Sequence, residues 1–490
     1  MSAAAALLAA AALAGCGSTT YFDGRTLPPS GLTNRVMIAI QNPSAFTKGA
    51  LQIVDAYYDI RSSYNGQVPS FSISGYSGNL PVSIQNMPEE RFGAVFGSGD
   101  GALAIINYAT EASGGSMGTF SGAPSALTST DQLYAFGADL TSHVLQVVDK
   151  SGTNSGTYAL SLPGIYRVSV NPGGSAALAF VQNSNYVYYP RKLTAAEGVT
   201  FASGTSAWPK AAVDCEPQSL PAWCLFQAQV PTSIDATGNY YGAALTFDRP
   251  TKAVFSSDGA TAYILNCGPE CGGVNAGITP LPVAPIIFRT GLASGKLPAA
   301  PVTTKIPGGA TNALIDSTSS TMYVVGQCQA TATLSGGLPQ CTPSGPLFTG
   351  MLTLVSLSAS TPTVTSQVSI SDGAPGAVSR MVEGDDNTLW IAMTKCTNGP
   401  REINNLAYGC LTMFNTSTKT VTMLEPYLGD ATGVTSVTGL HKIYTAEGGQ
   451  VYIYSTASGA TIDNQYVTVT GTAYDVAYID AITDGDNTVY

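Results

Sequence analysis

Residues 253–266 read AVFSSDGATAYILN, two short apolar runs joined by a turn of small residues. Relatives of this stretch return along the chain as RVSVNPGGSAALAFVQ (167–182), NALIDSTSSTMYVVG (312–326) and RMVEGDDNTLWIAM (380–393). A unit that recurs with drift roughly every 40 to 60 residues is the signature of a repeat architecture, because one such unit cannot bury its apolar face alone. Apolar and polar residues alternate with period two, and no stretch carries a long amphipathic helical pattern.

Each unit continues into a further strand of one kind: ALQIVDA (50–56), HVLQVVDK (143–150), MLTLVSL (351–357), CLTMFNT (410–416) and QVYIYST (450–456). A more variable fourth strand completes it. Four-stranded units repeated on one chain are expected to close radially, since closure leaves only short, protected edges; the fold class is all-β, a β-propeller of antiparallel blades. Eight innermost strands are expected, at 93–97, 125–130, 167–171, 252–256, 312–316, 380–384, 435–439 and 475–480, with seven blades as the alternative count. RVMIAIQN, from Arg35, is a second-strand pattern with no first strand before it, and the strand from Asp475 has no blade after it. The two ends are therefore expected to pair and close the ring. The unit at 253–266 resembles the YVTN-type propeller repeat, whose consensus runs through an apolar strand, a Ser-Pro-Asp-Gly-like turn and a Tyr-Val strand. Ser257 stands where that consensus often has Pro, and the resemblance, looser elsewhere, implies a scaffold and no activity.

An apolar run from Ala3 to Leu13 ends in Leu13-Ala14-Gly15-Cys16 and is too short to span a bilayer. Leu-Ala-Gly-Cys resembles the lipobox of bacterial lipoproteins, which implies cleavage before Cys16 and acylation of its thiol. No Lys or Arg precedes the run, a departure from the signal-peptide pattern. Gly17 rather than Asp follows the cysteine, which by resemblance to Gram-negative lipoproteins implies outer-membrane sorting. The expected organisation is a signal peptide (1–15), a lipidated cysteine and tether (16–33) and one propeller domain (34–490) carrying an insertion at about 194–247.

The eight remaining cysteines fall into neighbours: Cys215 with Cys224, Cys267 with Cys271, Cys328 with Cys341, and Cys396 with Cys410. Neighbour pairing as disulfides is preferred, in keeping with export. Zinc is disfavoured by irregular spacings and by a supply of only two histidines, so neither metal nor cofactor is expected. The net charge of −11, with 20 basic residues scattered singly, opposes nucleic-acid binding. The expected partners are the membrane, through the lipid, and an envelope protein or small anionic ligand; the propeller itself is expected to be monomeric.

Three of the cysteine pairs lie in second-to-third-strand connections of consecutive units, which share a face with the mouth of the central channel. The residues starting the expected innermost strands are polar: Gly93, Ser125, Arg167, Lys252, Asn312, Arg380, Thr435 and Asp475. Three cations at one register, in a chain with 10% charged residues, suggest a collar for an anionic or carbonyl-bearing ligand; the competing reading is that Arg167 or Arg380 pairs with a neighbour such as Asp475 and ties blades together. Trp208, Trp223, Tyr240 and Tyr241 give the insertion an aromatic surface for a glycan, or else a core for a packed side lobe. Catalytic signals are thin. His143 and His441 are placed away from the channel mouth, and Glu383, Asp385, Asp386, Asp484 and Asp486 fall in expected hairpin turns, where such residues are favoured for backbone reasons. A non-catalytic binding or assembly module is the reading favoured; a lactonase- or lyase-like enzyme using Arg167, Arg380 and Asp475 is the alternative, and glycan binding a third.

Overall fold

The computed structural model describes residues 27–481 apart from 62–70, 89, 153–154, 172–173, 175, 204–211, 235–239, 289–296, 317, 332–340, 343, 346, 372–375, 397–409 and 425–428. Eight antiparallel sheets stand in a ring. Blade 1 consists of Thr472–Tyr478, Arg35–Gln41, Gly49–Asp55 and Phe71–Ser72, in order from the channel outward. The innermost strands of blades 2 to 8 are Pro81–Met87, Ser125–Thr128, Ile165–Val170, Pro250–Phe255, Asn312–Asp316, Ala377–Gly384 and Ala431–Val437. The expected closure holds, since Val36 faces Tyr478 and Ala39 faces Asp475 across the pairing of the first and last described strands.

One expectation is corrected. Gly93 lies in the second strand of blade 2, Phe92–Gly97, and not in the innermost one. The true innermost strand, PVSIQNM, carries Ser, Gln and Asn in its centre, so its weak apolar signal conceals it. Gly93 answers to a different demand: a Cβ there would lie 2.0 Å from the Tyr108 hydroxyl.

Ring closure rests on a buried charge cluster that the repeat pattern does not reveal. Arg35, fully buried, donates from Nη2 to Asp480 Oδ1 at 2.7 Å and from Nη1 to Glu111 Oε1 at 2.7 Å and the Tyr108 carbonyl at 2.8 Å. Its backbone N–H also donates to Asp480 Oδ2 at 2.7 Å. Ser30 adds a backbone N–H donor to Glu111 at 2.8 Å. One guanidinium thus ties the two ends of the ring to blade 2.

The insertion extends blade 4. Trp223–Gln227 adds a fourth strand and Ala212–Glu216 a fifth, with Cys215 and Cys224 facing each other across that pair. Ala195–Ala202 forms a short helix whose capping box is complete: Thr194 Oγ1 accepts from the Glu197 N–H, and Glu197 Oε2 accepts from the Thr194 N–H. A hairpin, Gln229–Ile234 with Tyr240–Ala244, follows.

The antiparallel order puts the starts of the innermost strands, the second-to-third loops and the links between blades on one face, the mouth face. The turns between first and second strands lie on the other. Disulfides Cys267–Cys271, Cys328–Cys341 and Cys396–Cys410 close loops of consecutive blades on the mouth face.

Candidate functional site

An innermost strand has no neighbour on its channel side, so its outward N–H and C=O groups need other partners. Side chains from the preceding blade supply several. Ser169 Oγ accepts from the Ala253 N–H at 3.1 Å, Thr435 Oγ1 from Tyr478 at 3.0 Å, Asp475 Oδ2 from Ile84 at 2.7 Å and Gln85 Oε1 from Thr128 at 2.9 Å. These buried polar residues are structural sutures. Thr435 is one of them and does not hold the collar register expected of it.

The true register is marked by β-bulges. Six innermost strands insert one extra residue near the mouth, at Val82, Tyr166, Thr251, Ser379, Thr432 and Tyr474. A bulge bends its strand and re-aims the side chain beside it. The residues that follow are Ser83, Arg167, Lys252, Arg380, Gly433 and Asp475; counting back from the hairpins, Ser125 and Asn312 complete the set in blades 3 and 6. Ser83 and Gly433 therefore stand where Gly93 and Thr435 were expected.

Gly433 is small for a reason. A Cβ there would lie 2.5 Å from Asp475 Oδ1, so the missing side chain leaves room for the carboxylate of the next blade. Arg380, on blade 7, reaches past blade 8 to donate to Asp475 Oδ2 at 2.7 Å and to the Val476 carbonyl at 2.9 Å. Asp475 also accepts from the backbone N–H groups of Ile84 and Val476. Burial raises the Asp475 carboxyl above the usual carboxylate value while Arg380 pulls it down. This pair is the inter-blade tie foreseen as the competing reading.

Lys252 and Arg167 are different. The Lys252 ammonium donates to Asn312 Oδ1 at 2.8 Å, and the side chain is buried, with 9% of the residue exposed. Desolvation first, then the positive charges of Arg167 and Arg380, push it down to about 7. Arg167, half-buried, lies 5.7 Å over the Tyr166 ring and has no carboxylate or hydrogen-bond acceptor among the described residues. The contrast with the chain's other interior cations is sharp: Arg35 and Arg380 face carboxylates, as do Lys192 (Asp149) and Lys442 (Asp59). At this register three cations share one carboxylate, so among the described residues the mouth of the channel carries uncompensated positive charge.

No family model and no curated protein matches the chain. Among solved structures it is similar to the dihydro-heme d1 dehydrogenase NirN, over 92% of this chain and 79% of that one, at 9% identity and a TM-score of 0.51. It also aligns with the periplasmic gluconolactonase PpgL of Pseudomonas aeruginosa, over 91% of this chain and 99% of that one, at 11% identity and a TM-score of 0.46. At such identities the likeness is one of fold, and ligand and reaction have to be read from this chain's own residues.

The other sequence candidates disperse. Trp223 is buried, donates from Nε1 to Asp149 Oδ2 at 3.0 Å and meets Tyr134 and Phe136 edge-on, so it offers no flat platform to a glycan. Trp208, Cys16, Asp484 and Asp486 lie outside the described residues, as do the side chains of Tyr240 and Tyr241. His143 is exposed at a turn. His441 sits on the face opposite the mouth, its Nδ1 3.0 Å from Asp386 Oδ2, and the hydrogen bond to that carboxylate raises it above the ordinary imidazole value. Asp385 accepts from the backbone N–H groups of Gly439 and His441, which makes this acid pair a clamp between hairpins. Among the described residues no helix is long and apolar enough to cross a membrane, and no group of three or more His, Cys, Asp or Glu could hold a metal ion.

Proposed function

We propose that this chain is an exported, lipid-anchored β-propeller of the cell envelope that acts as a binding module for a small anionic ligand at the channel mouth. The observation that carries the reading is the pair of buried Lys252 and half-buried Arg167, two cations that meet no carboxylate among the described residues. A buried charge without a counter-charge is costly, and such a cost persists where a ligand supplies the missing partner. Four disulfides support export, and the Leu13-Ala14-Gly15-Cys16 resemblance supports the anchor. The three stapled loops on the same face restrain the rim, which lowers the ordering cost of binding.

Calorimetric titration with malonate tests the site. The reading expects saturable binding whose affinity falls by about tenfold or more in Lys252→Met and in Arg167→Gln, each removing one charge-assisted contact worth roughly 1.5 to 3 kcal/mol. Linkage fixes the pH dependence. Malonate draws a proton onto Lys252, so affinity declines as the pH rises beyond about 7. Equal affinities in wild type and both variants would end the proposal.

A further inference from the structure

Lys252 differs from an ordinary anion-binding lysine in being crowded by its own kind. Among the described residues its amine has one neutral acceptor, Asn312 Oδ1, and the charged groups that act on it are the cations Arg167 and Arg380. Asp475, the carboxylate of this register, is taken up by Arg380 and two backbone amides. These neighbours favour the neutral amine, and a neutral lysine amine is a nucleophile toward carbonyl carbon.

We infer that the site captures 2-oxo acids covalently and reversibly, with Arg167 holding the carboxylate while Lys252 Nζ forms an imine with the adjacent ketone. The inference rests on the anion-binding reading and names the ligand class. The step balances without an oxidant or reductant. The Lys252 nitrogen adds to the carbonyl carbon, and the nitrogen's proton passes to the carbonyl oxygen to give a carbinolamine. The C–O bond then breaks, the oxygen leaves as water with the second amine proton, and a C=N bond remains. A solvent proton makes it the iminium.

An iminium under the positive charges of Arg167 and Arg380 would be as poorly placed as an ammonium unless the ligand brings negative charge. The geometry thus selects against plain ketones. The carboxylate next to the carbonyl carbon of a 2-oxo acid supplies that charge at the nearest position. Asn312, which holds the amine through its side-chain oxygen, is the positioning residue.

The test is reductive trapping on the full-length protein with pyruvate and cyanoborohydride, followed by peptide mapping. The inference expects a reduced pyruvate adduct at Lys252, formed at least tenfold faster than at exposed Lys150, Lys305 or Lys419, suppressed by excess malonate and absent with acetone. Arg167→Gln, in which the amine is intact, is expected to slow trapping at least tenfold. A Lys252 adduct no faster than those at the surface lysines, or none, overturns the inference. Malonate binding with no adduct would overturn covalent capture alone, whereas failure of both experiments would remove the anion site as well.

Discussion

Replacing Arg35 by Met tests the closure of the ring. The guanidinium is wholly buried and is the counter-charge of both Asp480 and Glu111. Removing one partner of a buried ion pair leaves the others unpaired and costs roughly 3 to 5 kcal/mol. The loss should depend on pH in a definite direction. Burial already pushes the Asp480 carboxyl up to about 6 with Arg35 beside it, and the variant, lacking that attraction, raises it further. An acid whose pKa is raised on folding binds more protons in the folded state across the window from about 4 up to its shifted value. The variant therefore regains stability relative to wild type as the pH falls through its own shifted value to about 6, below which the wild-type carboxyl is protonated too and the difference is level. Urea denaturation at pH 7.5 and pH 5 measures this, with hydrogen exchange at the Val476 and Tyr478 amides reporting whether the closing strand opens first. The second variant, Arg35→Met with Asp480→Leu, should recover the part of the loss due to Asp480 at pH 7.5, because exchanging buried ion-pair partners for apolar groups is often neutral, while Glu111 is left with its Ser30 donors alone. A deficit equal at both pH values, with no recovery in the double variant, would refute the reasoning. As a reference, Arg191→Ala breaks a partly exposed pair with Glu197 and should cost no more than about 1 kcal/mol.

Two further outcomes follow from packing. Gly433→Ala places a methyl 2.5 Å from Asp475 Oδ1 and 2.8 Å from its Cα, so backbone has to move; thermal denaturation should show a loss of roughly 1 to 3 kcal/mol, and an unchanged midpoint would contradict the role given to this glycine. Trp223→Ala should cost about 3 to 5 kcal/mol in the same assay while leaving malonate affinity unchanged, and a stable variant would show that the insertion does not pack as described.

The legible part of this molecule was its repetition. Period-two alternation and the turn at Ser256–Gly259 located seven of the eight innermost strands, and the unpaired pattern at Arg35 announced its partner at the other end of the chain. The blade that escaped, Pro81–Met87, uses Gln85 and Asn86 to bond neighbouring backbone, Gln85 to Thr128 and Asn86 to the Tyr478 carbonyl, so its buried residues do not look apolar. Bulges were equally hidden, because an extra residue shifts register without changing composition. That shift separates Gly433 from Thr435 and gives one the space at the mouth and the other a suture. The Arg35 cluster left a faint trace: an arginine at the head of an apolar strand, in a chain with 10% charged residues, calls for a buried carboxylate. The sequence offers Asp475 as a partner to either Arg167 or Arg380 without choosing between them, and it gives no sign that Lys252 faces only Asn312, since both depend on which side chain crosses the channel.

The central claim is that the mouth of this propeller holds positive charge that the protein itself leaves unneutralised. A pH titration of Lys252, followed by NMR of protein carrying 13C at the lysine Cε, measures it directly. A midpoint near 7 that moves upward when malonate is added is the result expected. A midpoint at the ordinary lysine value of about 10.4, unmoved by malonate, would contradict the account.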